Sequence, residues 1–180
     1  MTGLEQDDKI LERVSSAVAK KPALRKVSGR SEPAAARSKW TLGGVYGATR
    51  ISTSFGEVPA HLVRVRDQLR TRDGNFARVM RIDEYKLDAE FLDRHPEARP
   101  IRFQPKKTNG GATGSAVYLS PGQVVLARNA SGNETLRPAS EFMDQPGVMP
   151  HATGPFSYFI FHLGTAALVK AEGMWVAMEA

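Results

Sequence analysis

Through the middle of the chain, apolar residues recur at every second position in short runs broken by turn residues, which is the grammar of β-strands. Thr49-Arg50-Ile51-Ser52-Thr53 alternates around Ile51, and Phe55-Gly56-Glu57 turns the chain. Leu62, Val63 and Val65 open a second apolar set, and residues 67–71 form a further short strand. Arg72-Asp73-Gly74 is a hairpin signal because Asp-Gly tolerates positive φ, and Val79, Met80 and Ile82 carry the return strand. Residues 83–100 are acidic and mixed, and read as a loop with one helical turn over 87–92. The phrase from Arg94 through Pro96 and Pro100 returns to strand at Ile101-Arg102-Phe103. Residues 116–126 read as a strand pair crossing Ser120-Pro121, with Leu119 and Val125 in the core, and residues 129–133 make a hairpin turn. The closing strands extend past Trp175, which the pattern places in their packing.

A helical period occurs once. Leu4, Leu11, Val14 and Val18 lie at helical spacing with Ile10 beside them, and Thr2-x-x-Glu5 fits a capping box. Asp7 and Asp8 in the early turns and Lys20-Lys21 at the end suit the helix dipole. Residues 2–20 are therefore expected to be helical, either as a marginal surface helix or as a docking helix for a protein partner through residues 3–20. Residues 21–39, with Pro22, Pro33, three consecutive alanines and a scatter of basic residues against Glu32, read as a disordered basic linker. The organisation expected is a helix plus linker over 1–39 and an all-β domain over 40–180.

Composition narrows the chemistry. There is no cysteine, which excludes disulfides, thiolate metal sites and a cysteine nucleophile. The net charge is +6, but nine basic and five acidic residues fall in 1–39, so the domain itself carries only +2. Nucleic-acid binding by the domain is accordingly not expected, and a basic-tail contact with nucleic acid is the alternative that the charge leaves open. The longest apolar run, residues 156–169, contains His162 and Gly164 and is too short to span a bilayer. The acidic N-terminus is not a secretory signal, so a cytoplasmic location is expected. Gly110-Gly111-Ala112-Thr113-Gly114-Ser115 lacks the Gly-Lys-Ser/Thr ending and the following helix of a phosphate loop. His61, His95, His151 and His162 have no spacing that suggests a metal site, and no cofactor is expected.

Several stretches together resemble the bacterial Hint (hedgehog/intein) family. Ala48-Thr49-Arg50-Ile51-Ser52-Thr53 stands where members carry Gly-Thr-x-Ile-x-Thr, and residues 67–74 stand for Asp-x-Val-x-Thr-x-Asp-Gly. The His95-Pro96 loop before a strand, Leu119-Ser120-Pro121, Leu136-Arg137-Pro138-Ala139 and Ala171-Glu172-Gly173 match further positions. The departures concern the chemistry. Ala48 and Arg66 replace glycines, Gly44 falls where the nucleophilic Cys belongs, Gln123 replaces the histidine of the Leu-Ser-Pro-x-His motif, and Ile160 and Ala166 fall at two later His positions.

The resemblance implies an all-β horseshoe of two related halves, in which the first strand and the last strands meet at one site. In active members a Cys attacks its own preceding carbonyl and histidines polarise and cleave the resulting bond. Acyl transfer needs a nucleophile, a proton carrier and oxyanion donors. Gly44 has no side chain, Gln123 cannot carry a proton near neutral pH, and Ile160 and Ala166 can do neither. The expectation is a catalytically inactive domain acting as scaffold or protein-interaction module. Its rival is residual autoproteolysis by a hydroxyl such as Ser38 or Thr41.

Overall fold

The computed structural model describes residues 39–105, 107–108, 111–112, 114–129 and 131–180. The helix expected over 2–20 and the linker up to residue 38 lie outside the described residues. Residues 42–180 form one compact unit.

The strands follow in chain order: β1 (Val45–Tyr46), β2 (Arg50–Thr53), β3 (Gly56–Pro59), β4 (Gln68–Arg70), β5 (Phe76–Arg78), β6 (Arg81–Leu87), β7 (Ile101–Phe103), β8 (Lys107–Thr108), β9 (Gly111–Ala112), β10 (Val117–Leu119), β11 (Val124–Arg128), β12 (Glu134–Pro138), β13 (Val148–Pro150), β14 (Phe156–His162), β15 (Ala167–Ala171) and β16 (Met174–Met178). One short α-helix, α1 (Ala89–Arg94), follows β6. One sheet has the order β13-β7-β10-β1-β14-β6; the second has β12-β11-β16-β15-β2-β4-β5 with β3 beside β2; β8 and β9 form a separate ribbon. The architecture is all-β, as the period-two pattern predicts.

The sheets share one core. Val45, Leu119 and Phe161 from the first sheet pack in one cluster with Ile51, Leu69, Val125, Val169 and Val176 from the second. Each of these side chains is buried. Leu119 and Val125 are core residues as expected, but they belong to different sheets, and Ser120-Pro121 carries the chain from one to the other. Proline without an N–H suits a crossover where the ladder stops. Trp175 is only half-buried.

Four segments depart from the sequence reading. Residues 83–87, read as the start of a loop, belong to a seven-residue edge strand over 81–87 that pairs in full register with β14 from Phe156↔Leu87 to His162↔Arg81. Its charges at Arg81, Asp83, Glu84 and Lys86 disguise the alternation that buries Tyr85 and Leu87. An edge strand carries such charges because its outer side faces water, where they deter pairing with other chains. The return strand of the Asp73-Gly74 hairpin is Phe76–Arg78, earlier than the pattern of Val79, Met80 and Ile82 places it. Leu62 and Val65, read as an apolar strand set, are exposed around a short 3₁₀ turn. The helical turn is real but lies two residues later, where Asp88 caps it by accepting from the Phe91 N–H at 2.7 Å.

Arg66 is the other departure of interest. Its φ is +79°, in the left-handed region that favours glycine. The N–H of Arg66 donates to Val79 O at 2.8 Å, so the conformation is fixed by the neighbouring turn. This is the position at which the resemblance expected Gly.

Candidate functional site

Gly44 immediately precedes β1, the short strand clamped between β10 and β14. The Gly44 N–H donates to Oε1 of Gln123 at 2.7 Å in a buried setting. Gln123 in turn donates its Nε2 to Ala177 O at 2.7 Å and to Val124 O at 3.1 Å. Its own backbone is held as well: its N–H donates to Ser120 O, and its carbonyl accepts from the Ala139 N–H. One side chain thus ties the start of the first strand to the last strand. The two residues are far apart in sequence, and the crossover at Ser120-Pro121 is what brings them together.

The rest of this seam is equally occupied. The Ser120 N–H donates to Gly44 O at 2.9 Å, and Ser120 Oγ donates to Leu42 O at 2.5 Å. Thr49 Oγ1 donates to Tyr118 O and accepts from the Tyr118 N–H, fastening the turn between β1 and β2 to β10. Tyr158 is fully buried, and its hydroxyl donates to Ala98 O at 2.8 Å. Burial pushes the Tyr158 phenol well above its ordinary value, with a Ser120 hydrogen bond opposing the shift.

Gly44 has φ +146°, a conformation that L side chains rarely adopt. A Cβ there would lie 2.9 Å from Tyr158 Cβ, 3.4 Å from Tyr158 Cγ and 3.7 Å from Ile160 Cγ1. The space a side chain would need at this position is already filled by Tyr158. Ile160 is buried at the same spot and offers only hydrocarbon.

Three of the four positions singled out in the sequence are therefore neighbours: Gly44, Gln123 and Ile160. Ala166 is not among them. It is exposed in the turn between β14 and β15 and lines a depression with Thr71, Phe76, Ala77 and Arg78. Ser38 lies outside the described residues, and Thr41 is an exposed residue of the N-terminal unit. Sequence reasoning missed Tyr158 as the group that occupies the Gly44 corner, because nothing in a strand pattern tells which side chain fills a gap.

Of the histidines, His162 has the richest surroundings. It is 8 % exposed. Its Nε2 lies 2.9 Å from Asp83 Oδ2 and 2.9 Å from an Arg81 guanidinium nitrogen, and its Nδ1 lies 3.3 Å from Ala180 O and 3.7 Å from Glu179 Oε2. Among the described residues no group of three or more His, Cys, Asp or Glu could hold a metal ion.

The family described as Hint domain matches residues 46–178. This chain belongs to the Hint-domain family. The match covers both sheets and ends within the closing strand. Among solved structures, a Ssp DnaB mini-intein variant is similar at 12% identity and TM-score 0.50, covering 77% of this chain and 100% of that one. The DnaB intein of Synechocystis sp. is similar at 12% identity and TM-score 0.48, covering 77% of this chain and 100% of that one. The MchDnaB-1 intein is similar at 13% identity and TM-score 0.47, covering 75% and 99%. No curated protein matches the chain. The likeness at TM-score 0.50 speaks to the fold alone, and with the family match it makes this the Hint fold.

Proposed function

We propose that this protein is a catalytically inactive Hint domain retained as a protein-interaction module or scaffold. The observation that carries this reading is the Gly44 corner. In place of a nucleophile there is a glycine whose missing side chain is replaced by Tyr158, and in place of a proton carrier there is an amide whose donors both go to backbone carbonyls. An amide so engaged offers neither a proton nor a free donor for a developing oxyanion. The family positions Gly44, Gln123, Ile160 and Ala166 are read as degenerate, and the domain needs no cofactor. Residues 1–39 serve as a tether whose segment 3–20 helps to engage the partner, while the Hint domain spans 40–180. Among the described residues no helix is long and apolar enough to cross a membrane, and we place the protein in the cytoplasm.

The test is the intact mass of the purified full chain, followed over days with and without hydroxylamine or added thiol. The expected outcome is an unchanged mass under every condition. Cleavage near Ser38 or Thr41, abolished by substituting that hydroxyl, overturns the inactive reading in favour of residual autoproteolysis.

A further inference from the structure

The charge of the domain is not spread evenly. Residues 64–81 contain six arginines against two aspartates, whereas the domain outside this stretch is net acidic. All six arginines are exposed. Arg72 is engaged by Glu134 and Arg81 by Asp83, while Arg64, Arg66, Arg70 and Arg78 have no ion pair among the described residues.

This basic stretch ends on an open sheet edge. β5 is the last strand of its sheet and pairs with β4 alone. The Thr71 N–H donates to Asn75 O, and the Val79 N–H donates to Asp67 O. Those bonds set the alternation of the ladder, so that Leu69 and Ala77 form the hydrogen-bonded pair between them. The amides and carbonyls of Phe76 and Arg78 consequently point away from β4 and have no ladder partner. The side chains of Phe76 and Arg78 share one face with Arg70 and Gln68 directly opposite, and all four are exposed. Phe76 keeps 49 % of its surface in solvent, although it could have been covered by its own sheet.

A depression of about 450 Å³ runs beside this edge. All three residues of β5 line it, together with Leu163, Thr165 and Leu168. Gln68, Leu69 and Arg70 do not line it, whereas Thr71 and Arg72 just past the end of β4 do. Two backbone hydrogen bonds, Arg72 N–H to Leu168 O and Met80 N–H to His162 O, bound it at its ends. An occupant is therefore short.

We propose that the free edge of β5 and the depression beside it take up a short, extended acidic segment of a partner protein. This rests on the interaction-module reading and names its surface. The outward amides and carbonyls of Phe76 and Arg78 pair with the backbone of the segment, the mode of strand addition. Arg78 faces an acidic side chain on the added strand, and two residues along an apolar side chain packs on Phe76. Charge complementarity selects a peptide over other extended chains, because the edge presents backbone donors and acceptors at strand spacing together with unpaired arginine.

The test uses the full chain and a fluorescein-labelled peptide of repeating Glu-Glu-Val-Val, which sets a glutamate and a valine two residues apart on one strand face, with binding read by anisotropy and mapped by amide chemical shifts. Comparison probes are the same peptide with lysine for glutamate, its backbone N-methylated form and an oligothymidylate. The expected result is binding of the glutamate peptide, with shifts centred on the Phe76 and Arg78 amides, and none of the lysine peptide. N-methylation should weaken binding roughly ten-fold through lost backbone hydrogen bonds. Arg78→Gln, at an exposed position that does not threaten folding, should weaken it roughly three- to five-fold. Shifts centred elsewhere, equal binding of the lysine or N-methylated peptide, an unchanged Arg78→Gln variant, or tighter binding of the oligothymidylate would each overturn the proposal, as would self-association of the peptide-free chain through β5. The intact mass of the same samples separates the two claims: an intact chain without peptide binding removes only this surface, whereas a cleaved chain removes the inactive reading whatever the peptide does.

Discussion

Two seams hold the late strands of this domain to the earlier ones, and they are built from opposite materials. At Gly44 the seam is neutral and buried, made of backbone groups and the amide of Gln123. At His162 it is charged and lies near the rim, with Arg81, Asp83 and Glu179 around the ring. A neutral seam places every donor against an acceptor and leaves nothing to titrate near neutrality. A charged seam retains groups that water and salt can reach, since the Arg81 side chain is 64% exposed. The two seams thus fasten the strands by different means, one with neutral buried hydrogen bonds and one with charges near the rim.

The largest effect is expected where the neutral seam has no spare volume. Gly44→Ala introduces a Cβ 2.9 Å from Tyr158 Cβ on a backbone that disfavours one. It should destabilise the domain by about 3–4 kcal/mol from strain and overpacking combined. Urea unfolding measures this, and a loss under about 0.5 kcal/mol would mean that the corner is not filled. Gln123→Ala should follow at about 2–3 kcal/mol, because the Gly44 N–H and Ala177 O lose their buried partner. If Gln123→Ala cost no more than a surface substitution, the neutral seam would not be a fastening at all.

The charged seam should be weaker. His162→Gln is expected to cost about 1–2 kcal/mol through the hydrogen bond that Nε2 makes with one member of the Arg81–Asp83 pair. That cost should shrink at high salt, whereas the cost of Gln123→Ala should not. An equal salt response of the two variants would erase the distinction between the seams. Arg66 lies beside this second seam: its N–H bonds Val79 O, and the next residue, Met80, donates to His162 O. Arg66→Gly should relieve the left-handed strain and stabilise the domain by about 1 kcal/mol, seen as a higher unfolding midpoint.

The smallest effect near neutrality concerns Tyr158. Its folded pKa is raised above the ordinary 10.0 by burial, so the unfolded chain loses the phenol proton first as pH rises. The unfolded state then binds fewer protons than the folded state, and stability falls with rising pH. The contribution should be unaffected below about pH 10 and lost progressively above it. Tyr158→Phe should flatten the alkaline limb of the stability profile; an identical limb in the variant would place the phenol in contact with water.

Much of the fold was legible because period-two alternation and turn residues act locally. Asp73-Gly74 is a turn, with Gly74 at φ +87°, and Asn129 closes the β11–β12 hairpin by accepting from the Asn133 N–H at 2.8 Å. Strand β6 was not legible, because an edge strand is free to carry charges that resemble a loop. The neighbourhood of Gly44 with Gln123 and Ile160 was legible only through order and spacing along the family's motifs. Ala166 shows the limit of that procedure: a motif position counted along a strand carries no information on where the chain turns, and it lies in an exposed turn.

By itself, the sequence determined the strand grammar, the absence of any thiol, and that Gly44 carries no side chain and Gln123 an amide. These follow from residue type and short-range sterics, which need no partner. Only the tertiary structure decided that Tyr158 fills the Gly44 corner, that both Gln123 amide donors go to backbone, and that the Phe76 and Arg78 backbone groups face outward. The first two depend on atoms brought together from distant parts of the chain by sheet pairing, and the third on where the sheet ends, which no local pattern encodes.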